Sequence, residues 1–393
     1  MKEYSIRAYG EMIADRGRID AYLSAMRRTI DKTSVVLDLG TGTGFFALWA
    51  CRLGARKVYA VEPSDSIQVA RQIAAENGCE AKVEFIQDLS TNITLPGRVD
   101  VMVADLRGIL PLHAHHLVSI VDARKRFLAP GGCLIPQSDS LWLAVAELPE
   151  KYDKITRPWS SEQSGWQMQA ARRLVTNHWY GCQVSPEHLL TQPACWATLD
   201  YISLETPHCE AQARVRASRR GTAHGLCAWF DSVLVPGVYM SNAPEKEELI
   251  YGRAFFPFPQ PVGVDRGDEI SVLIRARLVG NDYIWNWETR VLERENLRRA
   301  KAHFRQSTFH GTPVSLDSLR RRSAEHVPKL SPEGQMVRFV LDSMDTHLSN
   351  SQIAHRLFDR FPSRLSDLDA AQGYVNDLVV QFGLPDSGPK PVP

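Results

Sequence analysis

Two stretches of this 393-residue sequence carry residue types that could do chemistry. The first is VLDLGTGTGFF, residues 36–46, where an apolar run ends in glycines at 40, 42 and 44 and passes straight into further apolar residues. Glycines so placed let the backbone take up positive φ and approach a ligand closely. Further on, Glu62 ends the run VYAVEP, a position from which an acid accepts hydrogen bonds from ribose hydroxyls. The second stretch is VADLRGILPLHAHHL, residues 103–117. Its one acid, Asp105, can orient a reacting nitrogen, and its histidines, His113, His115 and His116, carry imidazole, a ring able to serve as a general base. Histidines at the start of a helix also serve as caps or surface residues, and a metal held by His113 and His115 would lack a nearby third ligand. Arg107, two residues from Asp105, is unfavourable beside a cationic group unless it is paired or turned away.

The spacing of the first stretch is GxGxG. Phe45 stands where a GxGxxG dinucleotide fingerprint has its third glycine, and no Gly-Lys-Ser/Thr follows as in a phosphate loop. A GxGxG turn with an acid at the second strand end is the pattern of class I S-adenosylmethionine (SAM) methyltransferases. Gly40, Gly42 and Glu62 are therefore expected to hold SAM; NAD binding and a plain glycine turn are the alternatives.

These residues need a scaffold. VVLDLG, KVYAVEP, KVEFIQD, VDVMVADL and the pair GGCLIP/LWLAVAE read as strands. FFALWACRLGA, SIQVARQIAAENG and HHLVSIVDARKRFLAPGG read as helices between them, an alternation that predicts a parallel α/β sheet over 35–148. From about 150 to 295 short alternating segments such as CWATLDYISL, AQARVRASRRG, ISVLIRARLV and YIWNWETRVL predict an antiparallel all-β unit. RENLRRAKAHFRQS, residues 294–307, reads as a basic helix with a solvated face, followed by a loose connector. The end of the chain predicts three helices, with Ser331 as an N-cap, Pro332 at the first helical position, and apolar faces through Met336, Val337, Val340, Leu341 and Met344, through Ile353, Leu357 and Phe358, and through Val375, Leu378, Val379 and Phe382.

The totals narrow the class. A 44% apolar, 23% charged composition is that of a globular protein, and the length predicts two or three domains. With a net charge of +1 no global field recruits nucleic acid or membrane. The seven cysteines form no CxxC pair, which fits a reducing, cytoplasmic setting without a metal cage. The N-terminus lacks a secretory signal, and no run is long and apolar enough to span a bilayer.

Residues 4–295 resemble the protein arginine methyltransferase family. YGEMIADRGRIDAYLSAM resembles the family's N-terminal helices, which fold over SAM. The resemblance implies that Arg18 pairs with the methionine carboxylate in a charge-assisted fork. It places Tyr9 where the family has a cofactor-contacting histidine, Asp38 and Gly40 in the glycine motif, Glu62 on the ribose, and Thr91 where the family has an adenine-contacting glutamate. HGLCAWFDSVLV resembles a strand of the family's barrel, and residues 152–180, with Trp159 and Trp166, fall where the family projects a dimerisation arm.

The family's acceptor loop carries two glutamates that grip a guanidinium. Asp105 falls at the first and Ala114 at the second, while the family's Thr-His-Trp loop aligns with Leu249, Ile250 and Tyr251. The cofactor half is thus expected intact and the acceptor half rewritten. Residues from about 330 resemble a PqqD-type winged-helix peptide chaperone, which binds a leader peptide by strand addition; a DNA-binding helix-turn-helix and a plain appendage are the alternatives, and Asp367, Asp369 and Asp377 make the third helix acidic.

The fold expected is an α/β Rossmann-like SAM-binding domain (1–140), an antiparallel β-barrel (141–295), a basic helix and linker (296–325) and a small C-terminal helical or winged-helix domain (326–385). The expected protein is a homodimeric SAM-dependent N-methyltransferase acting on a peptide or protein, with Asp105 orienting the acceptor and no membrane or nucleic-acid partner. Methylation of a small guanidino or amino metabolite, or SAM and peptide binding without turnover, are the alternatives.

Overall fold

The computed structural model describes residues 4–384, and the chain divides between Pro313 and Val314 into two units. The first unit begins with α1 (Ile6–Ala14) and α2 (Arg16–Thr29). Asp15 ends one helix and caps the next, its Oδ1 accepting from the Arg18 backbone N–H at 3.0 Å. Strands β1 (Val35–Leu39), β2 (Lys57–Val61), β3 (Val83–Ile86), β4 (Val99–Ala104) and β5 (Leu128–Ile135) alternate with α3 (Phe45–Arg52), α4 (Ser66–Glu76) and α5 (His116–Phe127). All five strands run parallel in the order β3-β2-β1-β4-β5. Val36, Leu37, Val101, Met102, Val103 and Ala104 are buried, as expected of parallel strands covered on both faces. The strand order reverses between β1 and β4, so the crevice at their carboxyl ends is where a ligand binds in such a sheet.

The expected Rossmann-like half is present. Its boundary moves, because β6 (Ser138–Ala146), which contains LWLAVA, pairs antiparallel with β8 (Ala194–Asp200) and β10 (Gly221–Val235) and so belongs to the second layer. A helical segment follows: α6 (Pro149–Thr156), α7 (Ser161–Ser164) and α8 (Gln169–Thr176). Then come β7 (Tyr180–Cys182), β8 (Ala194–Asp200), β9 (Cys209–Arg216), β10 (Gly221–Val235), β11 (Val238–Ser241), β12 (Arg253–Val264), β13 (Glu269–Val279), β14 (Asp282–Glu293) and β15 (Asn296–Ser307).

Two expectations are corrected here. The strands form two antiparallel sheets rather than a closed barrel: one of six strands, β7-β12-β10-β6-β8 with β11 on β10, and one of four, β15-β14-β13-β9. Large aromatic rings, rather than a continuous ladder, join them. Trp285 lies 5.6 Å from Phe256 and 6.4 Å from both Trp179 and Trp196, centroid to centroid, and Trp287 lies 5.2 Å from Phe256. Residues 296–307, expected as a basic helix, are the strand β15. Its residues are good helix formers, but Phe304 and Gln306 are buried while His303 and Arg305 are exposed. The long ladder to β14 overrides the local propensity.

The second unit contains α9 (Leu316–Arg321), α10 (Pro332–Met344), α11 (Asn350–Arg360) and α12 (Leu368–Phe382). Met336, Val340, Ile353, Ala354, Leu357, Ala371, Val375 and Leu378 form its core, and Phe382 is exposed. Ser331, Ser349 and Asp367 cap the three longer helices. Its described residues include no strand. Of the helical and winged-helix alternatives, the described residues of this unit form the helical one, with no wing and no sheet edge among them for a leader peptide to join. No described helix is long and apolar enough to cross a membrane.

Candidate active site

Three strand ends meet at the switch point, and each carries a residue singled out in the sequence. β1 runs into the glycine turn, β2 into Glu62, and β4 into Asp105. Gly40 and Gly42 adopt φ of +73° and +53°, a region that disfavours any side chain. Their positions are also sterically closed: a Cβ on Gly40 would lie 2.1 Å from Leu106 Cδ2, and one on Gly42 would lie 2.4 Å from Tyr9 Cε1. The glycine turn thus touches the acceptor loop on one side and α1 on the other.

Asp38 braces this turn from beneath. Its Oδ2 accepts from Thr41 Oγ1 at 2.5 Å and from the Ala47 N–H at 2.9 Å, fixing both the turn and the start of α3. Burial pushes its carboxyl up to about 6, against those two hydrogen bonds. Glu62 accepts from the Gly42 N–H through Oε2 and from the Ser64 N–H through Oε1, both at 3.0 Å. Tyr9 covers Gly42, and its hydroxyl accepts from Ser66 Oγ at 3.3 Å. Thr91 is exposed, with a side-chain bond to Asn92; no hydrogen bond among the described residues links it to this cluster.

Arg18 reaches in from α2 and is buried, its guanidinium 5.1 Å from the Phe46 ring centre and 5.7 Å from that of Tyr22. Nε donates to Asp105 Oδ2 at 2.6 Å and to Tyr251 OH at 3.1 Å, and Nη1 donates to the Met12 carbonyl at 3.1 Å. Among the described residues Nη2 makes no hydrogen bond, so one side of the fork is open to an anion.

The Asp105 side chain is buried and heavily engaged. Oδ2 takes the Arg18 bond and accepts from Tyr251 OH at 2.6 Å, while Oδ1 faces Arg107 Nε at 3.3 Å as an ion pair without hydrogen-bond alignment. Burial alone would push this carboxyl up, but Arg18 and Arg107 together hold it below the usual carboxylate range. The condition set on Arg107 by the sequence is met, since its side chain is fully buried and paired. Nη1 donates to Asp139 Oδ1 at 2.9 Å and to Ser232 Oγ at 3.1 Å, and Nη2 donates to Tyr22 OH at 3.1 Å. Tyr201 OH donates to the other oxygen of Asp139. His116 Nε2 lies 3.2 Å from the same hydroxyl and must therefore carry the proton of that bond. Its Nδ1 is buried without a partner, and burial beside Arg107 lowers its pKa to about 3. His116 is a neutral core residue. His115 is exposed and meets the Gly280 carbonyl at 3.0 Å; His113, also exposed, packs its ring over Gly108. Ala114 takes φ +40°.

The sequence reading missed Tyr22, Asp139, Tyr201 and Ser232. One signal was available: a cation in an apolar loop demands a buried counter-charge, and Asp139 is an acid opening an apolar strand. Beside the acceptor loop an open cavity of about 580 Å³ is lined by Ile109, Glu150, Lys154, Glu248 and Tyr251. A second, of about 590 Å³, is lined by Glu11, Asp15, Arg16, Glu247 and Glu248.

These residues fit SAM. The turn presents backbone without side chains at Gly40 and Gly42, each Glu62 oxygen keeps a lone pair beyond its one backbone bond, and the free nitrogen of Arg18 suits a carboxylate.

Comparison with known proteins agrees. Residues 20–139 match the family described as "Ribosomal protein L11 methyltransferase (PrmA)", and residues 137–283 match the "Arginine methyltransferase oligomerization subdomain". Protein arginine N-methyltransferase PRMT10 of Oryza sativa subsp. japonica is 41% identical over 306 residues, covering 67% of this chain and 78% of the relative. PRMT10 of Arabidopsis thaliana is 26% identical over 344 residues, covering 76% and 88%. The crystal structure of Arabidopsis thaliana protein arginine methyltransferase 10 superposes with a TM-score of 0.68 at 22% identity, covering 77% of this chain and 97% of that one. The Trypanosoma brucei PRMT1 enzyme–prozyme complex with AdoHcy gives 0.69 at 21%, covering 76% and 96%. The chain belongs to the protein arginine methyltransferase family and is a SAM-dependent methyltransferase.

Proposed function

We propose that this protein methylates a guanidinium nitrogen of a protein or peptide side chain, with Asp105 as the residue that orients the acceptor. The observation that carries this is the place of Asp105: it is an ionised carboxylate at the carboxyl end of β4, bonded to the arginine that also faces the cofactor cradle. When bound, SAM supplies an electrophilic methyl group on a sulfonium. Gly40 and Gly42 let the backbone approach that nucleoside, Glu62 receives its ribose hydroxyls and Asp38 holds the turn rigid. The second fork of Arg18 receives the methionine carboxylate, and Tyr9 on α1 covers the turn from water. Asp105 draws positive charge of the acceptor toward itself and leaves the transferring nitrogen its lone pair, the role the family divides between two carboxylates.

The 580 Å³ cavity, with Tyr251 and Ile109 in its wall, is wide enough to admit a peptide side chain. Residues 137–283 match an oligomerisation subdomain, and Trp166 in the helical segment is 76% exposed; both support a homodimer built through α6–α8. Seven free thiols fit a reducing, cytoplasmic compartment.

The test is transfer of radiolabelled methyl from SAM to arginine-bearing peptides, with Asp105→Asn beside the wild type. The variant is expected to lose about 100-fold or more in kcat while still binding S-adenosylhomocysteine. Undiminished turnover in Asp105→Asn would remove Asp105 from the mechanism.

A further inference from the structure

The acceptor loop contains a cation with no counterpart in the family's two-glutamate arrangement, and that cation is among the most tightly held groups in the molecule. Arg107 is fully buried in the side chain and makes three hydrogen bonds through its two terminal nitrogens, to Asp139, Ser232 and Tyr22. Its guanidinium lies 5.1 Å from the ring centre of Phe230. These partners come from β6, β10 and α2, so the guanidinium is clamped by three separate elements. The remaining nitrogen, Nε, has no hydrogen-bond partner and sits 3.3 Å from Asp105 Oδ1, which also has none. One carboxylate oxygen is therefore saturated by Arg18 and Tyr251, while the other is held near a cation yet left with unused accepting capacity. Both oxygens of the Asp105 carboxylate are thereby fixed, Oδ2 by Arg18 and Tyr251 and Oδ1, itself buried, by Arg107.

We propose that Arg107, braced by Asp139, is a positioning residue for the methyl acceptor: it fixes the Asp105 carboxylate in the orientation from which that carboxylate holds the acceptor nitrogen. In a site with one acid instead of two, it does the orienting that a second carboxylate would otherwise do. This rests on the assignment of Asp105 as the acceptor-orienting group.

The groups facing Asp105 from every side are Arg18 and Tyr22 on α2, Tyr251 before β12, and Arg107 on its own loop. Behind Arg107 stand Asp139 on β6, Tyr201 after β8 and His116 at the start of α5. Arg107 Nη1 and the Tyr201 hydroxyl donate to separate oxygens of Asp139, the arrangement of an ionised carboxylate. Arg18, Asp105, Arg107 and Asp139 thus form a buried chain whose formal charges cancel. Removing Arg107 alone would leave Asp139 uncompensated, so the pair is removed together.

The experiment compares the full chain with Arg107→Met/Asp139→Asn and with Arg107→Lys. Thermal melting and calorimetry with S-adenosylhomocysteine establish folding and the cofactor site. Steady-state kinetics use an arginine-bearing peptide, and the carboxyl of Asp105 is followed by ¹³C NMR against pH, its resonance assigned by its absence in Asp105→Asn.

The double variant is expected to fold and to bind S-adenosylhomocysteine within about threefold of wild type. Its kcat should fall at least tenfold, and both the Asp105 titration and the acid limb of kcat should move to higher pH, because one of two flanking cations is gone. Arg107→Lys keeps a charge but loses the fork, so its kcat should fall about tenfold while the Asp105 titration stays close to wild type.

Wild-type kcat and an unmoved Asp105 titration in the folded double variant would overturn the proposal. If the double variant does not fold, wild-type kcat in Arg107→Lys would overturn it equally. The titration reads the Arg107–Asp105 link even in a protein that transfers no methyl to the chosen peptide, so failure of the substrate assignment and failure of this proposal give different results.

Discussion

Gly42 offers the sharpest test of the cofactor cradle, because its replacement can be separated into strain and collision. A Cβ at this position would stand 2.4 Å from Tyr9 Cε1 and 3.0 Å from Cδ1 and Cζ, at φ +53°. An alanine there costs about 1 kcal/mol for the left-handed backbone. It must also push the Tyr9 ring away by about 1 Å to reach ordinary van der Waals contact. Since α1 buries none of its residues, the helix can shift, and the collision adds little to the loss of stability.

Gly78 provides the control. It has φ +65° and nothing within 4 Å of an added Cβ, so Gly78→Ala carries the strain alone. Both variants should melt about 2–4 °C below wild type. In calorimetry, Gly42→Ala should bind S-adenosylhomocysteine at least about tenfold more weakly, a loss of about 1.4 kcal/mol, while Gly78→Ala binds normally. Adding Tyr9→Ala to Gly42→Ala should not restore affinity if the methyl itself blocks the ligand, and should restore most of it if the displaced ring does. Wild-type affinity in Gly42→Ala would refute the cradle. An equal loss in Gly78→Ala would trace the effect to stability rather than to the site.

Other perturbations follow from the same geometry. His116 has its pKa lowered to about 3 against an ordinary value near 6.5, so the folded state binds fewer protons than the unfolded between those values. Stability from this group is therefore lost as pH falls through that window, and His116→Phe should melt within about 1 kcal/mol of wild type at pH 7 yet exceed it at pH 4.5; a parallel decline in both proteins would contradict this. Asp38, raised to about 6, behaves oppositely, since folding favours its protonated form and its contribution grows as pH falls from about 6 to 4. Asp38→Asn should remove that slope, worth up to about 3 kcal/mol, as read from urea titrations at pH 4.5 and 7. Asp15→Ala removes both the α2 cap and the 2.7 Å bond from the Ile250 N–H. It should cost about 1–2 kcal/mol in chemical denaturation, and a loss below about 0.3 kcal/mol would show the cap to be dispensable.

What the sequence revealed and what it hid divide along a physical line. The glycine turn, Glu62 and the parallel sheet were legible because each follows from a local rule: backbone sterics at Gly40 and Gly42, and continuous burial in β1 and β4. The C-terminal helices were legible through their apolar faces and, for the first of them, through the cap at Ser331. β15 was not, because Arg, Lys and Ala favour a helix locally and only pairing with β14 makes it a strand. Arg107 was recognised as a problem, but its solution lies 32 residues away at Asp139, 85 away at Tyr22 and 125 away at Ser232. No periodicity links residues so far apart. That the described residues of the second unit include no wing was hidden for a related reason: apolar spacing defines the helices but says nothing about strands between them.

The buried charge chain then poses a question that stability cannot answer. Taking two arginines and two aspartates out of water costs several kcal/mol per ion before their attraction is counted, and well-packed apolar replacements of such groups are often as stable or more so. Arg107 and Asp139, with side-chain exposures of 0% each, are thus a poor way to hold β6 against the acceptor loop if holding is all they do. What they provide that apolar packing cannot is direction. A guanidinium clamped at Nη1 and Nη2 leaves Nε pointing one way, and the carboxylate opposite it must settle accordingly. Where the family resemblance places two glutamates the chain has Asp105, one methylene shorter, and Ala114, so the orientation of Asp105 is the quantity most in need of control. A variant that packs as well but points Asp105 elsewhere should therefore remain folded and cofactor-competent and transfer methyl slowly, and that separation of stability from turnover is what distinguishes a directing cation from a merely buried one.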